Sequence, residues 1–191
     1  MRVGVLTFHR CINYGSYWQA RCLVEAIAAR GHDAVLLDHH SCEVTSREWR
    51  YAFQPLTPER SSRADVAQYG RKLRKFLDAF RALPLSAPFD LDAPEGMPAV
   101  DLAVIGSDEV LNLSHPWYGG KPVFWGDGIA APRVVTYAAS FGNYAADFVE
   151  PQWADRLRDL DAISVRDDNS FGLVEGATGA GPAMVLDPVL Q

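Results

Sequence analysis

Four short polar runs hold the side chains in this sequence that could do chemistry: His9-Arg10-Cys11-Ile12-Asn13-Tyr14-Gly15-Ser16, Gly106-Ser107-Asp108-Glu109, Ser140-Phe141-Gly142-Asn143 and Arg166-Asp167-Asp168. In the first, Asn13 offers an amide donor and acceptor, and Gly15 lets the backbone approach a ligand closely. A helix starting there would also turn free N–H groups toward an anion. The same residues have a plainer use, with Asn13 capping the helix and Gly15 relieving a turn. Ser107 or Asp108 is ambiguous in the same way, either facing a ligand or capping a short helix over 109–113.

Other constellations are weaker. Asp38-His39-His40 with Cys42 and His9 presents metal-ligand types, but the spacing matches no structural zinc pattern, and a polar cluster at a strand end is the simpler account. Cys11 near His9 hints at a thiol nucleophile, yet residues two apart on an extended segment share a face without having to touch. There is no G-x-S-x-G elbow for a serine hydrolase. No G-x-G-x-x-G follows the first strand and no G-x-x-x-x-G-K-[ST] exists, which argues against NAD and ATP. Neither a metal nor a cofactor is expected.

The elements that must position these runs follow a regular grammar. Residues 3–8 are an apolar run too short for a helix and suited to a strand buried on both faces. Trp18, Cys22, Leu23 and Ile27 recur at helical spacing over 14–30, Gly31 stands where the helix should stop, and 34–37 is a second strand. Strand, helix, strand is a βαβ unit with parallel strands. Further strands are expected at 101–105, 134–138, 162–165 and 183–186, with helices over 151–160 and 167–174. The fold class is α/β, a doubly wound, mostly parallel Rossmann-like sheet of five or six strands. In such sheets ligands gather outside the carboxyl ends of the strands, and all four polar runs follow a strand.

The segment 41–98 interrupts this grammar and is too long to lack structure. Val66, Tyr69, Leu73, Phe76, Leu77, Phe80 and Leu83 form the apolar stripe of a helix, with Arg71, Lys72, Arg74 and Lys75 on the other face. Pro84, Pro88, Pro94 and Pro98 forbid its continuation. Residues 1–191 are thus expected to form one domain with a helical insertion at about 41–98.

Composition bounds the function. With 191 residues, 48% hydrophobic and 22% charged, the chain can build a core without disulfides or metal. A net charge of −6 and a pI near 5.3 argue against nucleic acid as a partner. Three scattered cysteines and no secretory leader suggest reduced thiols and a cytoplasmic location, which makes Asn112-Leu113-Ser114 an idle glycosylation sequon. No apolar run reaches the ~20 residues of a membrane span. Residues 46–83 hold nine basic and four acidic residues, a surplus of +5, so the rest of the chain carries −11. The basic helix over 65–83 presents either a solvated face or a peripheral contact for anionic lipid head groups.

Read together, TFHRCINYGSYWQA, VIGSDEVLN, YAASFG, SVRD and LDP resemble, in order and spacing, the first half of the polysaccharide pyruvyl transferase family. Its signature runs N-Y-G with a Gln four residues on, then G-S-D-Q-[VW], Y-A-A-S-[FL]-G, S-x-R-E and L-D-P. The resemblance covers residues 1–38 and 99–191; the middle agrees only in carrying an amphipathic basic helix. Glu109 and Leu111-Asn112 replace the family's usual Gln and Trp-Asn, and Asp167 stands where Glu is commoner.

The resemblance implies one half of a GT-B-type two-domain transferase, with the second, carboxyl-terminal domain absent. It implies transfer of the enolpyruvyl carbons of phosphoenolpyruvate onto two hydroxyls of a sugar or polysaccharide, as a cyclic ketal, with release of phosphate. The donor's anionic groups would be held mostly by the second half, so this half alone would be inactive. It would supply acceptor-side contacts through Asn13, Tyr14, Gly15, Gln19, Ser107, Asp108, Ser140 and Arg166, with Tyr14 a stacking surface for a sugar ring. The catalytic residues are not identified. A separate carboxyl-terminal half, or a homo-oligomer, would complete the site. The alternatives are a non-catalytic sugar- or metabolite-binding module of this fold, and a family member acting on a small non-polysaccharide acceptor.

Overall fold

The structure, a computed structural model, describes residues 1–55 and 59–191; residues 56–58, inside the expected insertion, lie outside it. β1 (Arg2–Leu6) pairs in parallel with β2 (Asp33–Leu36) on one side. On its other side it pairs with β5 (Leu102–Ile105), which in turn pairs with β6 (Val134–Thr136). Two short parallel pairs extend this sheet. β3 (His39–His40) with β4 (Phe89–Asp90) continues the β2 edge through a bridge between Leu36 and Leu85. β7 (Ser164–Val165) with β8 (Ala183–Met184) continues the β6 edge through bridges Val135–Ala162 and Ala139–Val165. Across the molecule, the chain segments ending at residues 90, 40, 6, 105, 136, 165 and 184 therefore lie side by side in parallel. That is the order 3-2-1-4-5-6-7, a doubly wound sheet with β1 at the reversal point.

Helices cover both faces. α1 (Tyr14–Ala29) and α3 (Arg63–Arg81) pack Tyr17, Leu23, Val24, Phe76 and Phe80 on Val3, Val5, Leu36 and Val104. On the other face, α4 (Pro151–Arg158) and α5 (Asp168–Thr178) set Leu157, Leu173 and Val174 against a core that includes Leu6, Ile105, Trp125, Phe141 and Val165. The period-2 alternation of β1 explains the split: Val3 and Val5 serve one face, Leu6 the other.

Local chemistry sets the boundaries. Asn13, extended at φ −135°, caps α1 by accepting from the Gly15 N–H, and Gly31 at φ +86° ends it. Ser62 and Asp65 form a capping box on α3.

Several expectations need correction. The insertion contains a second helix, α2 (Cys42–Phe53), besides α3, and a strand at its far end. No helix forms over 109–113; positive φ at Gly106 (+109°) and Asp108 (+79°) turns the chain through irregular loops instead. α5 runs four residues beyond the expected 174, because Gly172 and Gly176 lie inside the helix and only Gly179, at φ +78°, stops it. Among the described residues the sheet has seven aligned segments rather than five or six. Among the described residues, no helix is long and apolar enough to cross a membrane.

Candidate functional site

β1 stands where the strand order reverses, so the loops leaving the carboxyl ends of β1 and β5 start toward opposite faces of the sheet, and the junction between them is where sheets of this order take ligands. Thr7, at the end of β1, spans it: its Oγ1 donates to the Ser107 carbonyl at 2.9 Å and accepts from Gln19 Nε2 at 2.8 Å. Gln19 Nε2 also donates to the Ser16 carbonyl at 2.9 Å. Gln19 is only 2% exposed, and its Oε1 has no hydrogen-bond partner among the described residues.

The loop after β5 approaches so closely that residue 106 must be glycine. A Cβ there would lie 2.5 Å from the Tyr137 carbonyl oxygen, at a φ that side chains avoid. Ser107 is fully buried. Its hydroxyl lies 3.0 Å from the Ala138 carbonyl, 3.3 Å from Asp187 Oδ2 and 3.2 Å from Arg166 Nη1. Arg166 follows β7 and donates from Nη1 to Asp187 Oδ2 at 2.5 Å, while its Nη2 stands 3.8 Å from Asp108 Oδ1. Asp108 Oδ1 accepts from the Glu109 N–H at 2.9 Å, but its Oδ2 is buried without a partner among the described residues.

The third loop is stitched to the second. The Ser140 N–H donates to the Asp108 carbonyl at 3.0 Å, and the Ser140 carbonyl accepts from the Leu111 N–H at 3.0 Å. Ser140 Oγ accepts from the Gly142 N–H at 2.7 Å. Glu109, the departure from the family pattern, accepts from Asn112 Nδ2 at 2.8 Å, so its carboxylate holds the loop together. Asn112 is itself buried and also bonded to Asn143.

Ser107, Asp108, Ser140 and Arg166 thus form one cluster at the carboxyl ends of β5 to β7. Gln19 joins it through Thr7. Asn13, Tyr14 and Gly15 lie at the exposed start of α1, after β1 on the same rim; no hydrogen bond or ion pair among the described residues ties them to the cluster. Asn13 does cap its helix. Tyr14 is 61% exposed, its ring 4.8 Å from that of Phe76 and 5.7 Å from Lys72 Nζ.

Asp187 completes the cluster and was not singled out from the sequence. The signal was present in the L-D-P run. Parallel pairing of Val165 with Met184 sets Arg166 and Asp187 just beyond two adjacent strand ends.

A second polar cluster stands on the β2 side of Thr7. Arg10 grips Asp38 with Nε and Nη2, both at 2.7 Å, and His9 Nε2 lies 3.0 Å from the same carboxylate. Burial alone would raise the Asp38 carboxyl, but hydrogen bonds from His9 and Arg10 hold it well below the usual carboxylate range. The Thr7 carbonyl accepts from His39 Nε2 at 2.8 Å, and His9 Nδ1 lies 3.1 Å from the same oxygen. Burial, reinforced by the neighbouring His9, pushes His39 down to about 3, so its ring is neutral. These histidines hold the end of β1.

Cys11 is buried within 3.9 Å of the Tyr118 hydroxyl, and burial together with Glu48 pushes its thiol well up, the opposite of what a nucleophile needs. Glu48, on α2, accepts from the Ile12 N–H at 3.2 Å and is itself raised by burial.

The arrangement can recognise hydroxyl groups. In these two clusters Arg10 is held by Asp38 and Arg166 by Asp187, while two buried acceptors, Gln19 Oε1 and Asp108 Oδ2, have no donor among the described residues. Among known proteins, no curated sequence and no solved structure matches the chain. The family model for polysaccharide pyruvyl transferase matches residues 13–191, which takes in every one of the strand-end loops from Asn13 onward. The chain belongs to the polysaccharide pyruvyl transferase family.

Proposed function

We propose that this chain supplies the acceptor-side half of a pyruvyl transferase, holding two hydroxyls of a sugar or polysaccharide while the enolpyruvyl group of phosphoenolpyruvate is added to them as a ketal. Family membership implies a transferase with a saccharide acceptor; the donor and the division of labour are this reading. One observation carries it: among the described residues, the cluster of Ser107, Asp108, Ser140 and Arg166 has a spare acceptor and no spare cation. Phosphoenolpyruvate bears a phosphate and a carboxylate, and such anions need unpaired cations or convergent N–H groups. Arg166 has Asp187 at 2.5 Å and Asp108 nearby, and Arg10 is clamped by Asp38. A buried carboxylate oxygen without a donor costs about 1–3 kcal/mol, which a ligand hydroxyl, or a water it displaces, would recover.

In this scheme Asp108 accepts from an acceptor hydroxyl and orients its oxygen, Ser107 and Thr7 hold the loop in place, and Tyr14 offers an exposed ring face to the sugar. The cations that hold the donor, and the acid that protonates its enol carbon, come from a carboxyl-terminal half in the same or another polypeptide.

Phosphate release from phosphoenolpyruvate, measured over a panel of saccharide acceptors with and without a carboxyl-terminal half, tests the proposal. Release should require both halves. Asp108→Asn should raise the KM for acceptor by about tenfold, the equivalent of one charge-assisted hydrogen bond, and leave the KM for donor unchanged. Release by this chain alone, or a donor KM that rises while the acceptor KM stays, would contradict it. If the complete protein binds saccharide but releases no phosphate with any acceptor, the chain is a binding module.

A further inference from the structure

The outward face of α3 carries Arg63, Arg71, Arg74 and Lys75, all exposed and none paired with a carboxylate among the described residues. Among the described residues, Arg81 is the one cation of this helix in an ion pair, with Asp78 at 3.1 Å. On the inward face Leu73, Phe76 and Phe80 are buried. Between the cations the outward face shows small residues, Ala64 and Ala67, and no large apolar wedge. At 19 residues the helix is about 28 Å long. It is therefore a cationic rod lying on the surface, in a stretch with a surplus of +5 on a chain whose remainder carries −11.

From this distribution we infer that α3 docks the protein on an anionic bilayer surface. A planar surface meets one face of the molecule only. The acidic remainder is then held off by a helix about 10 Å across, which equals or exceeds a Debye length of about 8–10 Å in physiological salt. A polyanion in solution, such as a nucleic acid, would follow the protein around and meet the −11 charge. Each cation near an anionic surface contributes roughly a fivefold gain in partitioning. Contact is electrostatic adsorption without insertion, since the face offers no apolar wedge.

Docking has a consequence for the strand-end rim. Lys72 Nζ stands 5.7 Å from the Tyr14 ring and 5.8 Å from the Phe76 ring, so α3 is packed directly against the start of α1. The exposed ring of Tyr14 and the Asn13 cap thereby sit at the edge of the docking face. On the acceptor-side reading proposed above, acceptors displayed on the bilayer would reach Tyr14 first.

Cosedimentation of the full chain with vesicles tests the inference. Vesicles of pure phosphatidylcholine would be compared with vesicles containing about one-third phosphatidylglycerol, at low and at physiological salt. Binding is expected only to the anionic vesicles and should weaken with salt. The triple variant Arg71→Gln, Arg74→Gln, Lys75→Gln should lower partitioning about a hundredfold, with an unchanged circular dichroism spectrum. A control of equal charge change, Arg30→Gln, Arg133→Gln, Arg156→Gln, should bind like the unaltered chain. Equal binding to neutral vesicles, no binding at low salt, or equal loss in the control triple would overturn the proposal. So would binding to a soluble polyanion without binding to vesicles.

Discussion

Lowering the pH from about 7 to 5 should cost the fold about 2 kcal/mol through His39 alone. In the folded protein this ring is fully buried, donates to the Thr7 carbonyl at 2.8 Å and titrates near 3. In the unfolded chain an ordinary histidine titrates near 6.5. Between those values the unfolded state binds a proton that the folded state refuses. Stability is therefore complete above about 6.5, falls as the pH drops by up to ~1.4 kcal/mol per unit, and levels off below about 3. Integrating from pH 7 to 5 gives the figure of about 2 kcal/mol. Urea unfolding of the unaltered chain and of His39→Gln, at both pH values, isolates this contribution. Glutamine keeps an N–H donor for Thr7 but does not titrate, and the other groups titrate in both proteins. With a slope of roughly 2 kcal/mol per molar urea, the midpoint of the unaltered chain should fall about 1 M further than that of the variant. Equal falls would show that His39 does not reside neutral in the core, and the account of the β1 end would fail.

Asp187→Asn should cost about 1–3 kcal/mol, since it removes the charge that Arg166 engages at 2.5 Å; calorimetry would check this. The same variant should also create phosphate binding that the unaltered chain lacks, because it frees a cation on the rim, and isothermal titration with inorganic phosphate would read that gain. Gly106→Ala should destabilise by well over 1 kcal/mol in urea titrations, from both the φ of +109° and the clash with Tyr137. Ser62→Ala should cost about 1 kcal/mol by opening the capping box of α3; a loss below a few tenths in thermal unfolding would show that the cap contributes little.

How far the sequence foretold this arrangement depends on what each segment buries. β1, α1 and β2 were legible because their buried residues are apolar and keep the period of a strand or a helix. α2 was missed because its buried residues are only Val44 and Glu48, so no apolar stripe marks it. Its clues were smaller: Ser41 at the cap and the Glu43–Arg47 pair one turn apart. The strand around β4 was hidden by Pro84 and Pro88, which are tolerated because this segment lies at the edge of the sheet. The short helix expected over 109–113 failed at Asp108, whose positive φ no local preference demands. For the site, the four loops could be placed on one rim because every strand runs parallel. That Arg166 is already paired could not be read from the sequence: its partner Asp187 lies 21 positions away and meets it only through the register of β7 and β8.

The most direct measurement is a crystal structure of the complete transferase with a saccharide acceptor bound. A sugar hydroxyl should lie about 2.7 Å from Asp108 Oδ2, with the Arg166–Asp187 pair intact and the donor's anionic groups held elsewhere. Phosphoenolpyruvate seated on Arg166 with Asp187 displaced, and the acceptor bound away from Asp108, would contradict the account.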